Sequence, residues 1–294
     1  MRKYLLTVLL VFSVLSFSVA QNTGKSLKMQ FFCPKWGAES LSWEDFCKKV
    51  KDAGYDGVEA PFPAEETERK KAMDALKKYE LLYVGMIFYN PAPQAHLKDY
   101  EQQIRTVATM KPVFINSHTG KDFTAFEQNK AVIDVADRVS KEIGIKIIHE
   151  THRGRFSYAA NVTKNYLDKI PSLRLTLDIS HWCAVHESYL DDQSDAIQTV
   201  LERTDHIHSR VGHPEGPQVS DPRAPEWKVA LDKHLAWWDK VVALHKQKGT
   251  PLTVTTEFGP PGYLPTLPFT NQPVTSQWDV NVYMMQLLKQ RYQC

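Results

Sequence analysis

The hydrophobic pattern of this chain changes period repeatedly. Short apolar runs alternate with longer segments in which apolar residues recur every three or four positions. The first kind reads as buried strands and the second as amphipathic helices. Residues 29–33 form the first run. A helix over 42–53 follows, with Ser42 as N-cap and Glu44 and Asp45 in the first turn, where negative charge suits the unpaired N–H groups. Gly54-Tyr55-Asp56 then turns the chain into the run Gly57-Val58-Glu59-Ala60. A charged helix over 65–79, a strand over 82–88 and a helix over 96–110 come next. A strand over 113–115 reaches Asn116 and His118, and a long amphipathic helix covers 125–143.

Four further apolar runs each end in a metal-ligating side chain. They are Ile145-Lys146-Ile147-Ile148-His149-Glu150, Leu173-Arg174-Leu175-Thr176-Leu177-Asp178, His206-Ile207-His208 and Leu252-Thr253-Val254-Thr255-Thr256-Glu257. Helices near 159–170, 192–204 and 227–248 separate or follow them, and a last helix over 277–291 closes the chain. That makes eight strands, each with a helix after it. Such alternation implies a parallel sheet covered by helices, and eight repeats imply closure into a (β/α)8 TIM barrel. No Pro/Gly/Ser-rich linker divides the sequence, so a single domain is expected.

In a parallel barrel the carboxyl ends of the strands open onto one face, where active sites sit. Glu150, Asp178, His208 and Glu257 are spaced by 28, 30 and 49 residues, one or two βα units each. Two Glu, one Asp and one His converging there make an oxygen-rich site that suits one divalent ion, Mn²⁺, Mg²⁺, Co²⁺ or Zn²⁺. His206 and His208 share a strand face, and His208 is preferred as the ligand because it lies nearer the carboxyl end. An unpaired Glu257 at the end of a buried strand would be costly, so a cation is its natural partner. His181 follows Asp178 by three residues, with Trp182 beside it as an apolar wall. The run Glu150-Thr151-His152-Arg153-Gly154-Arg155 places charge directly after a strand, where barrel enzymes keep substrate contacts. The loops over 211–226 and 258–276 are long and irregular and follow ligand-bearing strands. Both are expected to overhang the site.

The start of the chain adds a location. Met1-Arg2-Lys3, an apolar stretch over 4–17 and Ser18-Val19-Ala20 read as a secretory signal peptide over residues 1–20. The expected mature domain is 21–294, exported to a periplasm-like compartment, with no membrane span. Removing Arg2 and Lys3 leaves basic and acidic residues equal at 34 each. That balance offers no electrostatic footprint for a nucleic-acid backbone. Cys33, Cys47, Cys183 and Cys294 match no zinc or redox spacing. Cys33 and Cys47 could pair in an oxidising compartment, but their places on a strand and the next helix fit small apolar residues better.

Taken together, His149-Glu150, Leu177-Asp178-Ile179-Ser180-His181, Ile207-His208-Ser209-Arg210 and Thr256-Glu257 resemble the xylose-isomerase-like barrel superfamily of sugar isomerases and epimerases, inosose dehydratases and type-two apurinic endonucleases. The resemblance spans essentially the whole of 21–294. It implies that Glu150, Asp178, His208 and Glu257 hold one metal, that Glu150 and Glu257 are the catalytic proton-transfer pair, and that His181 touches substrate. Arg210, His118, His152 and Arg153 complete the expected substrate contacts. The reaction implied is isomerisation or epimerisation of a small non-phosphorylated carbohydrate through an enediolate-type intermediate. A keto-sugar lyase or hydratase is the alternative, and a non-catalytic carbohydrate-binding protein is the alternative from another class. The endonuclease branch fits badly: Asp221-Pro222-Arg223 has Arg where that branch needs His, and Glu59-Ala60-Pro61 has no His. The basic run Thr151-His152-Arg153-Gly154-Arg155 and the run Ser209-Arg210-Val211-Gly212-His213-Pro214-Glu215-Gly216 also depart from the epimerases. Homo-oligomerisation is left open by the sequence.

Overall fold

In a computed structural model that describes residues 27–89 and 97–294, eight parallel strands close into a barrel in chain order. The expected signal peptide over 1–20 and the start of the third helix at His96 lie outside the described residues. The strands are β1 Met29–Pro34, β2 Gly57–Pro61, β3 Leu82–Tyr89, β4 Ile115–Thr119, β5 Ile147–Glu150, β6 Leu175–Leu177, β7 Thr204–His208 and β8 Leu252–Thr255. Closure is made by β1 against β8, with Met29 opposite Leu252 and Phe32 opposite Thr255.

The helices are α1 Trp43–Ala53, α2 Glu66–Lys78, α3 Leu97–Ala108, α4 Phe126–Ile143, α5 Ala160–Lys169, α6 Ser180–Val185, α7 Ser194–Glu202, α8 Lys228–Lys248 and α9 Gln277–Tyr292. Ser42 caps α1 as its sequence predicts, its hydroxyl accepting from the Asp45 N–H at 3.1 Å. Gly54 ends that helix in the left-handed conformation, which glycine adopts without a Cβ clash. Among the described residues no helix is long and apolar enough to cross a membrane.

Strand alternation sorts the side chains into two layers. Val58, Tyr83, Ile115, Ile147, Leu175, Leu177, Ile207 and Val254 pack outward in the shell between strands and helices. Phe32, Val84, Phe114 and Ile148 form a separate cluster inside the barrel. His206 lies against it, its ring centroid 4.9 Å from that of Phe114. This plug makes the barrel a packed core rather than a pore. Gly57 is required beside it, because a Cβ there would stand 2.5 Å from the Phe32 ring and 2.6 Å from the Leu82 carbonyl oxygen.

Three departures from the sequence reading matter for the site. The fourth strand runs over Ile115–Thr119, not 113–115, so Asn116 and His118 lie within it. Helix α6, which carries His181, was not expected; its single apolar turn and a half is too short to show a helical period. Trp182 turns away from the barrel mouth: its indole N–H donates to the Ser157 carbonyl at 2.9 Å within the helix-side core. Cys33 and Cys47 are both free and buried, as small apolar residues would be.

Candidate active site

Continuing each strand by one alternation step beyond the apolar plug brings polar groups into the barrel mouth. Glu150 is the last residue of β5, His208 the last of β7, Asp178 follows β6 directly, and Glu257 lies two residues beyond β8. One ligand atom from each falls within 4.8 Å of all the others, and all four residues are buried. These are the four residues that the sequence singled out as ligands.

Each is held by neighbours that fix its direction. The Thr151 hydroxyl accepts from the Asp178 N–H at 2.8 Å and donates to the Asp178 carbonyl at 2.9 Å, pinning the end of β6 to β5. The Asp178 carboxylate accepts from the Ser180 N–H at 3.1 Å, from the Ser180 hydroxyl, and from the Arg210 guanidinium. Glu150 Oε2 accepts from Asn116 Nδ2 at 3.0 Å and lies 2.7 Å from His118 Nε2. His208 turns Nδ1 toward Glu257 Oε2 at 2.7 Å and Glu150 Oε2 at 3.6 Å. Its other nitrogen faces the Glu59 carboxylate at 3.1 and 3.2 Å.

Glu59 is the residue whose role sequence reasoning missed. It is 1% exposed in the middle of β2. Besides His208 it accepts from Asn116 Nδ2 at 2.9 Å and from the Thr255 hydroxyl, with His206 Nε2 3.4 Å away. A carboxylate inside a strand whose neighbours are Val58 and Ala60 was the available signal, since burying a charge without partners is expensive. Glu59, His206 and His208 could themselves group around an ion. Both His206 nitrogens are already engaged, however, by Thr253 at 2.7 Å and Thr255 at 3.0 Å. The trio therefore reads as a hydrogen-bonded support beneath the site.

The four strand-end residues fit a divalent cation. Glu150 Oε1, Glu257 Oε2 and His208 Nδ1 are buried, and none makes a well-directed hydrogen bond. Three carboxylates and one imidazole face one small space, a hard donor set. A buried acceptor left without a partner, as Glu150 Oε1 is, costs about 1–3 kcal/mol. The electrostatics agree. Burial, together with repulsion from Glu257 and Glu150, pushes the Asp178 carboxyl up to about 6 against the pull of Arg210. His208 is driven well above its ordinary value: burial alone would lower it, but Glu257, Glu59 and Glu150 outweigh that. The pocket is short of positive charge.

The expected substrate contacts fall into two groups. His118 and His152 line the open cavity. His181 is fully buried behind His152, the ring centroids 3.9 Å apart, and burial holds it neutral with Nε2 2.7 Å from Arg210 Nη2. Arg210 is 1% exposed and reaches the cavity wall, yet its main partner is Asp178. Arg153 is exposed, its guanidinium 5.2 Å from the Tyr263 ring centroid, and it does not line the cavity; Arg155 does. Asp221 binds Arg223 at 2.6 and 2.8 Å near the surface.

Above these groups opens a cavity of about 660 Å³. It is walled by Glu59, His118, Glu150, His152, Arg210 and Glu257 and by the aromatic rings of Trp36, Phe62, Phe88 and Tyr263. This size is usual for a small-molecule site.

A closed parallel barrel with a buried carboxylate–histidine cluster at its strand ends defines a class of protein, and the comparisons give its family. The model of the xylose isomerase-like TIM barrel family matches residues 47–251, more than half of the chain. The chain belongs to that family. No curated protein matches the sequence. Among solved structures, a probable 3-DHS dehydratase from Bacillus anthracis is similar with a TM-score of 0.59 at 14% identity, covering 89% of this chain and 99% of the other. A 3-keto-D-glucoside 4-epimerase from E. coli has a TM-score of 0.58 at 11% identity, covering 90% and 100%. A xylose isomerase-like TIM barrel protein from Mycobacterium smegmatis in complex with magnesium has a TM-score of 0.57 at 10% identity, covering 90% and 97%. Identities this low speak to fold alone.

Proposed function

We propose that this protein is a divalent-metal-dependent isomerase or epimerase of a non-phosphorylated keto sugar, working through an enediolate-type intermediate. The observation that carries the reading is the convergence of Glu150, Asp178, His208 and Glu257, with Glu150 Oε1 buried and without a hydrogen-bond partner. These four would hold the cation, and its chemistry there is electrostatic stabilisation of negative charge developing on substrate oxygens. The magnesium in one structural neighbour is in keeping with that.

The chain's own groups supply the rest. Glu150 and Glu257 approach the same space from β5 and β8, so one can take a proton from the carbon beside a carbonyl and the other can return it. Asn116 and His118 hold Glu150 ionised and oriented. Burial works against that ionisation, but the charges of His118 and His208 outweigh it and draw the Glu150 carboxyl below its usual range. Arg210 holds Asp178 ionised and in place, a role closer to the metal set than the direct substrate contact that sequence reasoning gave it. His118 and His152 are placed to meet sugar hydroxyls.

A lyase or hydratase on a keto sugar is the second reading, because the same intermediate can expel a group from the next carbon. The dehydratase and the epimerase among the structural neighbours are consistent with either. One metal-loaded experiment decides between them: a panel of aldoses and keto sugars in deuterated water, followed by NMR. Solvent deuterium at one carbon without loss of water supports the isomerase or epimerase. An unsaturated or hydrated product moves the assignment to lyase or hydratase. No exchange on any sugar, with metal bound, refutes catalysis and leaves a binding protein.

A further inference from the structure

We propose that the aromatic side of the cavity is a subsite for a second, uncharged sugar ring, so that the substrate is a disaccharide or other glycoside; this rests on the reading of the cluster as a carbohydrate site. The mouth of the barrel is divided. Its metal-ligating groups come from β5 to β8. From the opposite strands come Trp36 in the loop after β1, Phe62 just past β2 and Phe88 near the end of β3, and Tyr263 from the loop after β8 lies between the two, its ring centroid 4.7 Å from the Arg210 guanidinium.

Size argues for two rings. At roughly 30 Å³ for each water-sized group, the dozen heavy atoms of one hexose fill at most about 360 Å³. The cavity is about 660 Å³. The space left over is enough for a second ring, and pyranoses present flat C–H faces that bury well against aromatic rings.

Trp36 is built into position rather than left to hang in solvent. Its indole lies on Gly259 so closely that a Cβ on that residue would stand 2.3 Å from the ring. Gln277 Nε2 donates to the Trp36 carbonyl and to the Phe258 carbonyl, each at 2.9 Å, tying the β1 loop to the end of β8. Tyr263 packs edge-on against the indole at 5.0 Å between centroids. Phe88 is half exposed, its ring 4.5 Å from that of His118, and so links the aromatic side to Glu150. The rim beyond these rings carries Glu39, Glu65 and Glu68. Lys35 among them is committed to the carbonyls of Ala38 and Leu41 at 2.9 and 3.2 Å. An acidic rim repels a uronic acid and accepts neutral hydroxyl donors.

The test is isothermal titration of the full-length, Mn²⁺-loaded protein with glucose, cellobiose, maltose and cellobiuronic acid. One neutral disaccharide is expected to bind at least about tenfold more tightly than glucose, the scale of one well-placed aromatic contact. Trp36→Ala and Phe62→Ala should each remove most of that preference while leaving glucose affinity nearly unchanged, and Trp36→Phe should restore part of it. Equal affinities for mono- and disaccharides, or equal loss for both in Trp36→Ala, overturn the subsite. Deuterium exchange is read separately, on these sugars together with the panel of aldoses and keto sugars. Disaccharide preference without exchange keeps the subsite and refutes the catalytic reading; exchange on glucose without preference does the reverse.

Discussion

Replacing Glu59 by Gln should weaken divalent-metal binding although Glu59 faces away from the space between the four ligands. For His208 to offer a lone pair at Nδ1, the proton of a neutral ring must sit on Nε2 and needs an acceptor there. Glu59 is that acceptor, 3.1 Å away, and it also receives Asn116 and Thr255. An amide has one acceptor oxygen and two N–H donors, so it cannot accept all three and must turn a donor toward another donor. A hydrogen bond to a charged group contributes about 1.5–3 kcal/mol. That corresponds to roughly a 10–100-fold loss of metal affinity, the usual effect of changing the partner of a metal-bound histidine. Competition with a chelator of known affinity measures it, using Mn²⁺ at fixed pH on the wild type and Glu59→Gln. Melting of the metal-free proteins checks that both are folded. Affinity within twofold of wild type would refute the argument that Glu59 sets the histidine. A stoichiometry of two ions in the wild type, falling to one in the variant, would instead make Glu59 a ligand.

Other expectations follow from the same geometry. Elemental analysis should find about one divalent ion per chain in the wild type and much less in Glu257→Gln and His208→Ala; undiminished content in both would remove the four-ligand assignment. Glu150→Gln and Glu257→Gln should each lower turnover per bound metal by about 10²–10⁴-fold, measured by deuterium exchange, whereas near wild-type turnover in both would leave the two Glu without a proton-transfer role. His234 is fully buried, accepts from the Gly212 N–H at 3.2 Å, and is lowered to about 4 by burial. Because the unfolded chain takes up that proton near 6.5 and the folded chain does not, stability is complete above about 6.5 and falls by about 3 kcal/mol as pH drops toward 4. Urea midpoints across that range should show a drop that is smaller in His234→Gln, the rest coming from other buried histidines such as His149, which burial also lowers to about 4. N-terminal sequencing of the protein from its natural host should begin near Gln21; an intact Met1 would refute export.

Much of this protein is legible in one dimension because its fold is a repeat of local decisions. The switch between strand and helix periods, the Ser42 cap and the glycine-marked turns depend on neighbours a few residues away. The eightfold alternation they produce allows few topologies. Glu150, Asp178, His208 and Glu257 were readable for the same reason: each ends an apolar run, and strand ends in a parallel barrel share one face. What only the tertiary structure decided are the relations across the barrel. Glu59 and His208 are 149 residues apart, and no local pattern says that one carboxylate will sit under another strand's imidazole. Arg210 read as a substrate contact because its guanidinium was visible and its partner was not; closure of the sheet placed Asp178 against it. Trp36 meets Gly259 only because β1 pairs with β8 at the seam. Strand identity is set by short-range periodicity, whereas the partner of each buried charge is set by the register and curvature of the closed sheet.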